Sequence, residues 1–525
     1  MPFNDKVLKI QSLLEKKPLI LVLVIFLLGT AVYLPTVSYD FVWDDFIVIK
    51  SNPQISSPGN WPQLLFADFH ISQTSKFYRP TVLYSFALDH AVYKENPWGF
   101  HLTNTLLHGL NSALVAFLAW LLFRNPPAAA LAGAFFALHP AHPEAVAFVS
   151  SRTDLLATFF SLLALIALIK KSEKRPGIGL YLLAPLAFFL ALASKETTVV
   201  LLIPMFLWLY RQNQKETPGL KGVLLGIGPS ALMTIPYFLL RFKALNILFP
   251  TQTHWPRVSS PLFLIELFFR YIAFSLFPLQ RCSFFSESRP SYPPDFRFWL
   301  LLALALFLLG AAIYLIRRQR ETAPLLAIFF LPWLPSFYYS LHNEIVMVER
   351  YLYLPTLGLA LLAGWGFLKV PTNVKKWVGW GVVVLLAAYL GVTLWRTPLW
   401  KNETILFEGL KKEYPSSPYV VSNLGLGYVK QNRLLEAYQE LTLAVRLEPH
   451  KPFYHNDLGW FYLRAGLTAK ARASFAEALR IWPDFALAYE GMGRTYLAAG
   501  DQKTAEEYFY KARLLDPQIK VFFVR

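Results

Sequence analysis

Residues 261–278 read PLFLIELFFRYIAFSLFP, an apolar run that carries one acid and one base, Glu266 and Arg270. Four residues apart on a helix, these two side chains lie on one face and neutralise each other. Whether the run crosses a membrane sets the side on which everything after it falls. If it does not cross, the basic clusters Arg124, KKSEKR (170–175), RQNQK (211–215), RRQR (317–320) and Lys369 with Lys375 and Lys376 share one side, as the positive-inside rule demands. If it crosses, the last two clusters and the carboxyl terminus change sides. The run is therefore read as a re-entrant or interfacial helix in a long outer loop.

Working outward, runs long enough to cross a bilayer fall at 18–36, 103–123, 127–147, 154–170, 179–195, 197–211, 221–241, 298–316, 323–341, 351–368 and 376–396, about eleven crossings in all. The first follows Lys6, Lys9, Lys16 and Lys17 and lacks a small-residue cleavage site, so it reads as a retained helix with a cytoplasmic amino terminus. The composition agrees: 55% hydrophobic, 16% charged and a mean hydropathy of +0.39 exclude an ordinary soluble protein. A net charge of +17 spread in short clusters between apolar runs marks contact with anionic lipid and cytoplasm, not nucleic acid. One cysteine, Cys282, leaves no intramolecular disulfide framework.

The same assignment gathers the unusual polar residues at outer helix ends. They are Asp44 and Asp45 in FVWDDFIVIK (41–50), Arg79, the stretch HPAHPEAVAFVSSRTD (139–154), Ser194-Lys195-Glu196, His254 and HNEIVMVERY (342–351). Charged groups at the edge of hydrocarbon are costly, and a convergent set of them usually lines a site.

Beyond residue 397 the pattern becomes that of soluble helices with a period of 34. Gly425, Gly459 and Gly493 are in phase, as are Tyr428, Tyr462 and Tyr496, Ala437, Ala471 and Ala505, Ala444, Ala478 and Ala512, and Pro449, Pro483 and Pro517. This is a tetratricopeptide repeat in three copies, a solenoid whose concave face commonly takes an extended peptide. The expected organisation is a transmembrane domain over 1–396 with a large first outer loop (37–102), a connecting half repeat (397–417), and three repeats over 418–525.

Adjacent acids diverge on any regular backbone, so one of Asp44 and Asp45 acts and the other supports. Phe41, Trp43 and Phe46 around them would raise a carboxylate's proton affinity and suit a general base; the plainer reading is a solvated loop with a helix cap. His139, His142 and Glu144 in HPAHPE invite a metal, but Pro140 and Pro143 break the helical turn that would align the imidazoles, and hydrogen bonding to a phosphate or sugar is preferred. Lys195, in a tight turn with Glu196 between two apolar runs, and the fork-shaped guanidinium of Arg350 suit a lipid-linked phosphate. Arg152 with Asp154, and Glu349 with Arg350, read equally as ion pairs at helix ends. Asn402-Glu403-Thr404 is an acceptor sequon of low specificity.

The segments FVWDDFIVIKSNPQI, FYRPTVLYSFALDHAVYKENPWGFHLTNTLLHGLN, FALHPAHPEAVAFVSSRTDLLA, SKETTVVLL and MVERYLYLPTLGLALL, followed by the repeats, resemble the transmembrane and tetratricopeptide-repeat-containing O-mannosyltransferases and their bacterial relatives. The resemblance implies an all-α, polytopic class C glycosyltransferase, with a polyprenyl-phosphate sugar as donor and Asp44 and Asp45 as the acidic motif of the first outer loop. On that reading Asp44 takes the proton of a Ser or Thr hydroxyl while Lys195, Arg350, Arg79, Arg152, His139 and His142 hold the departing phosphate. Glu144, Asp154, Glu196 and Glu349 support them, and no metal or other cofactor is required. The sugar is mannose or another hexose, the acceptor a protein or peptide held by the repeats, and the repeats face the periplasm or the endoplasmic reticulum lumen. The rival readings are the same fold acting on a lipid or glycan, and a non-enzymatic membrane scaffold that displays the repeats.

Overall fold

A computed structural model of the chain describes residues 18–50, 52–69, 76–171, 178–213, 220–247, 261–279, 296–342 and 348–516. Cys282, His254, Pro517, the amino-terminal lysines, residues 343–347 of HNEIVMVERY and parts of the clusters at 170–175 and 211–215 lie outside the described residues. Among those described, the regular structure is helical throughout. The chain divides into two compact units, Met1–Lys401 and Asn402–Arg525.

Among the described residues of the first unit seven helices are long and apolar enough to cross a membrane: Pro18–Ser38, Pro97–Phe123, Val149–Lys170, Gly222–Leu245, Trp299–Arg318, Glu349–Leu368 and Thr372–Trp400. Three shorter apolar helices accompany them, Pro126–Leu138, Gly179–Ser194 and Thr322–Phe337. The chain is an integral membrane protein. The helix Pro261–Leu276 has 16 residues, about 24 Å of rise, and its Arg270 and Glu266 pair at 2.7 Å as their spacing predicts.

Proline accounts for most departures from the predicted runs. The run 127–147 ends as a helix at Leu138, because Pro140 and Pro143 lack the N–H that would continue it. The run 221–241 is interrupted at Met233, where Pro236 cannot donate to the carbonyl of Leu232. The run 197–211 opens as a 3-10 turn, Glu196–Leu201, before the helix Leu202–Asn213. The helix expected from 103 begins earlier, at Pro97, where the Asn96 side chain accepts from the Trp98 N–H.

Glycines set the closest helix contacts. A Cβ on Gly109 would lie 2.2 Å from Thr30 Oγ1 and 2.9 Å from the Phe26 carbonyl, so Pro18–Tyr33 and Pro97–Phe123 meet backbone to backbone. Close approach of this kind replaces the hydrophobic drive that lipid removes between membrane helices. The first loop is itself packed. Phe41, Val48, Ile49, Leu64 and Phe69 share a core with Phe86, Phe100 and Val149. That core fixes FVWDDFIVIK against the segment after Pro143, and so positions the site.

The second unit begins with the helix Glu403–Glu413, capped by Asn402, whose side chain accepts from the Ile405 N–H at 2.9 Å. The pairs Pro418–Lys430 with Leu434–Leu447, Pro452–Arg464 with Thr468–Ile481, and Ala486–Ala498 with Gln502–Leu515 then follow. The in-phase glycines make room for a large residue 16 positions on. A Cβ at Gly425, Gly459 or Gly493 would stand 2.5–2.7 Å from Leu441, Phe475 or Phe509, themselves 34 apart. Asn432, Gly466 and Gly500, one per repeat at the turn, are left-handed, where glycine and asparagine sit with least strain.

Candidate functional site

The two acids of FVWDDFIVIK have separate fates. Trp43 has φ +51°, a left-handed conformation uncommon for a bulky residue, and the chain turns there. Beyond it Asp45 is wholly buried: its Oδ1 accepts from the Ser150 N–H at 2.7 Å and the Ser150 hydroxyl at 2.5 Å, and its Oδ2 from the Val42 N–H at 3.1 Å. Burial pushes this carboxyl up to about 7 against the pull of those three donors. The two adjacent carboxylates therefore stand in different environments. Asp45 staples the first loop to the segment that follows HPAHPE, and both its oxygens are engaged. Asp44 is half-buried, and its charge is felt by Arg350.

Arg350, which feels the Asp44 charge, belongs to a group of three cations, each held by a carboxylate from another element. Arg350 Nη1 donates to Glu144 at 2.6 Å, and the Arg350 N–H donates to the same carboxylate. Lys195 Nζ donates to Asp154 at 2.6 Å. Arg79 meets Glu196 at 3.3 Å. Tyr351 joins the first two, for the Lys195 ammonium lies 4.6 Å and the Arg350 guanidinium 5.7 Å from its ring centre. The Arg79 and Arg350 charges both act on Lys195, which places all three in one cluster. Arg350 also sits over Trp43 and Phe148, and those rings stack on each other at 5.5 Å with Trp400 stacked behind Phe148.

Glu144, Asp154 and Glu196 each pair with one of these cations, whereas Arg152, His139 and His142, grouped with the phosphate ligands in the sequence reading, have other partners. Arg152 is fully buried. It pairs with Asp89 at 2.6 Å, donates to Asn104 Oδ1 at 2.7 Å and to the Phe100 carbonyl at 2.9 Å, and stacks on Phe86. His139 donates through Nε2 to the Ser275 carbonyl and accepts at Nδ1 from the Ala141 N–H. His142 shares a hydrogen bond of 2.7 Å with Thr356. Both rings are buried and lie against each other, His142 among Phe136, Tyr353 and His108 and His139 between Phe135 and Tyr389. Among the described residues no group of three His, Cys, Asp or Glu side chains is arranged to hold a metal ion.

The pairings between sequence neighbours are also corrected. Asp154 goes to Lys195 and Arg152 to Asp89, while Arg350 goes to Glu144 and Glu349 to Arg396 at 2.5 Å. Side chains one or two positions apart in an irregular helix start point to different faces, and each buried charge found its partner across the bundle. Asp89, Asn104, Tyr351 and Arg396 were not singled out in the sequence. The signal was available for Asp89 and Arg396, ionisable residues within or closing apolar runs.

The comparisons with known proteins agree with the motif reading. A family model described as dolichyl-phosphate-mannose-protein mannosyltransferase matches residues 79–250, and a tetratricopeptide-repeat model matches 486–519. The human protein O-mannosyl-transferase TMTC2 is 39% identical over 154 residues, 28% of this chain and 18% of that protein. The Caenorhabditis elegans protein O-mannosyl-transferase F38B6.6 is 25% identical over 454 residues, 81% of this chain and 62% of its own length. The matches to these two relatives therefore span less than two thirds of either. The crystal structure of ArnT from Cupriavidus metallidurans bound to undecaprenyl phosphate aligns with a TM-score of 0.42 at 16% identity, over 89% of this chain and 80% of that one. The likeness to the O-mannosyltransferase family carried by the motifs is borne out in these matches, and so are the all-α membrane architecture and the carboxyl-terminal repeats.

Proposed function

We propose that this chain is a membrane glycosyltransferase of class C type that moves a hexose, mannose in the first instance, from a polyprenyl-phosphate donor to a Ser or Thr hydroxyl of a protein. The observation that carries the reading is a half-buried carboxylate, Asp44, beside a cluster of three cations fixed by their own carboxylates and walled by aromatic rings. Asp44 accepts the proton of the hydroxyl as its oxygen bonds to the anomeric carbon. The bond from that carbon to the phosphate oxygen breaks with its electron pair, and the configuration inverts. The leaving group is already an anion, so it needs charge stabilisation more than a proton. Arg350, Lys195 and Arg79 supply that, and because their partners hold them in place they need little reorganisation as the charge develops. Asp45 holds Asp44 in position. The relatives named as protein O-mannosyl-transferases support a protein acceptor, and we assign its capture to the repeats.

The test is incubation of the purified protein with dolichyl- and undecaprenyl-phosphate sugars and a Ser/Thr peptide, reading released lipid phosphate and sugar on the peptide. Asp44→Asn should lower transfer about 100-fold or more with donor affinity nearly unchanged. Arg350→Ala should weaken both. Normal turnover in Asp44→Asn together with loss in Asp45→Asn would reverse the roles within the pair, and normal turnover in both would overturn the enzyme reading.

A further inference from the structure

The last membrane helix ends on the site. Its final residue, Arg396, has its side chain 1% exposed and donates through Nη2 to Glu349, also 1% exposed, at 2.5 Å. The other arm, Nη1, donates to the carbonyl of Pro140. One turn earlier Thr393 donates to the Leu138 carbonyl at 2.9 Å, and just beyond, Trp400 stacks on Phe148. Asp40 then donates its N–H to the Lys401 carbonyl at 3.0 Å. Residues 393–401 therefore grip the first loop, the HPAHPE segment and the residue that precedes Arg350.

The charges explain why a guanidinium stands there. Glu349 and Glu144 are two buried carboxylates within electrostatic reach of each other. Arg350 serves Glu144, and Arg396 serves Glu349. Without Arg396, Glu349 would be an uncompensated buried anion next in the chain to Arg350, the most exposed of the three site cations. Capture by Glu349 would draw that guanidinium away from Trp43, Phe148 and Tyr351.

We propose that Arg396 is a positioning residue for Arg350: by occupying Glu349 it leaves Arg350 on Glu144 and facing the aromatic rings, where the donor phosphate would be held. This rests on the glycosyltransferase reading above for the identity of the ligand. In this proposal Arg396 acts on the site through Glu349, while its bond to the Pro140 carbonyl ties the end of the helix to the HPAHPE segment.

Binding of undecaprenyl phosphate and dolichyl phosphate, measured in detergent on monodisperse protein, tests it. Arg396→Gln should weaken binding about tenfold or more and raise the donor KM more than it lowers kcat. Glu349→Gln/Arg396→Gln removes the competing acid with its partner and should return binding to within about threefold of the parent. A merely structural role would give the opposite ordering, since the second substitution would repair nothing. Arg396→Gln within twofold of the parent, or a double variant as weak as the single, overturns the proposal. Should the single variant not fold, the double carries the test: binding as poor as in Arg350→Ala overturns it, and binding near the parent value supports it. If the parent protein binds neither lipid phosphate nor any polyprenyl-phosphate sugar, the glycosyltransferase reading fails and this inference with it, whereas parent binding that Arg396→Gln leaves intact removes this inference alone.

Discussion

The membrane unit and the repeat unit both use ion pairs, and they use them in opposite ways. In the first, Arg152–Asp89, Lys195–Asp154, Arg350–Glu144 and Arg396–Glu349 are largely or wholly buried, and the last three join residues 41 to 206 positions apart. In the second, Arg480–Glu477 and Arg433–Glu436 are exposed and three residues apart on single helices. A buried pair is weak evidence of net stabilisation, because desolvation offsets the attraction, yet removing one partner is severe. An exposed pair has little to lose. The membrane unit thus uses its buried charges to fix long-range geometry, while the repeats hold together by periodic packing and leave pairs such as Arg480–Glu477 and Arg433–Glu436 at the surface.

The largest effect that would break this comparison is at Arg152. Arg152→Met leaves Asp89 buried without its guanidinium and frees the Asn104 and Phe100 acceptors, and should cost about 3–5 kcal/mol. Arg152→Met/Asp89→Leu should recover most of that, as measured by thermal unfolding in detergent. A single variant that melts with the parent would show that these buried charges are not committed to the fold at all.

The second test uses pH. The Asp45 carboxyl rises from its ordinary 3.8 to about 7 on folding, so it favours the protonated form in the native state. Below about pH 4 it is neutral in both states and the penalty is absent. As pH rises toward 7 the unfolded chain releases this proton while the native state retains it, so stability falls, and it levels off above 7. A shift of roughly three units corresponds to about 4 kcal/mol at most. Asp45→Asn cannot ionise, and its lost acceptor for the Val42 N–H adds only an offset that is constant with pH. Its melting temperature relative to the parent should therefore climb from pH 4 to pH 8; parallel curves would deny that Asp45 carries the penalty.

The two units also differ in how far the sequence reveals them. In the repeats a neighbour in space is a neighbour at a fixed spacing, so the phase of Gly459 and Ala471 already implies a helix pair, and the room Gly459 leaves is filled by Phe475 at the same 34-residue period. Glu266 and Arg270 were legible for the same reason, both lying on one helix. Asp44, Lys195, Arg350 and Arg79 stand out in the sequence as charges at the ends of apolar runs, but the pairing of carboxylates with the three cations does not. Lys195–Asp154 and Arg350–Glu144 depend on how helix ends meet across the bundle, which no spacing encodes. For that reason Arg152, His139 and His142, equally conspicuous in sequence, were grouped with the phosphate ligands although packing turns them into the protein.

The smallest effects sharpen the comparison by separating burial from sequence distance. Arg494–Glu490 and Arg480–Glu477 are both local pairs on repeat helices, at four and three residues. The first is largely buried, with Arg494 beside the Trp460 ring and Glu490 pushed up by desolvation; the second is mostly in solvent. If burial decides the cost, Arg494→Ala should destabilise the repeats by about 1–3 kcal/mol, because Glu490 then loses the donor that compensates its desolvation. Arg480→Ala should leave the melting midpoint of the repeat transition unchanged, and any residue of an effect should vanish at high salt, where exposed charges are screened. Equal losses in the two variants would mean that short sequence separation, not exposure, governs these pairs. The contrast between the units would then be one of topology, with burial following from it.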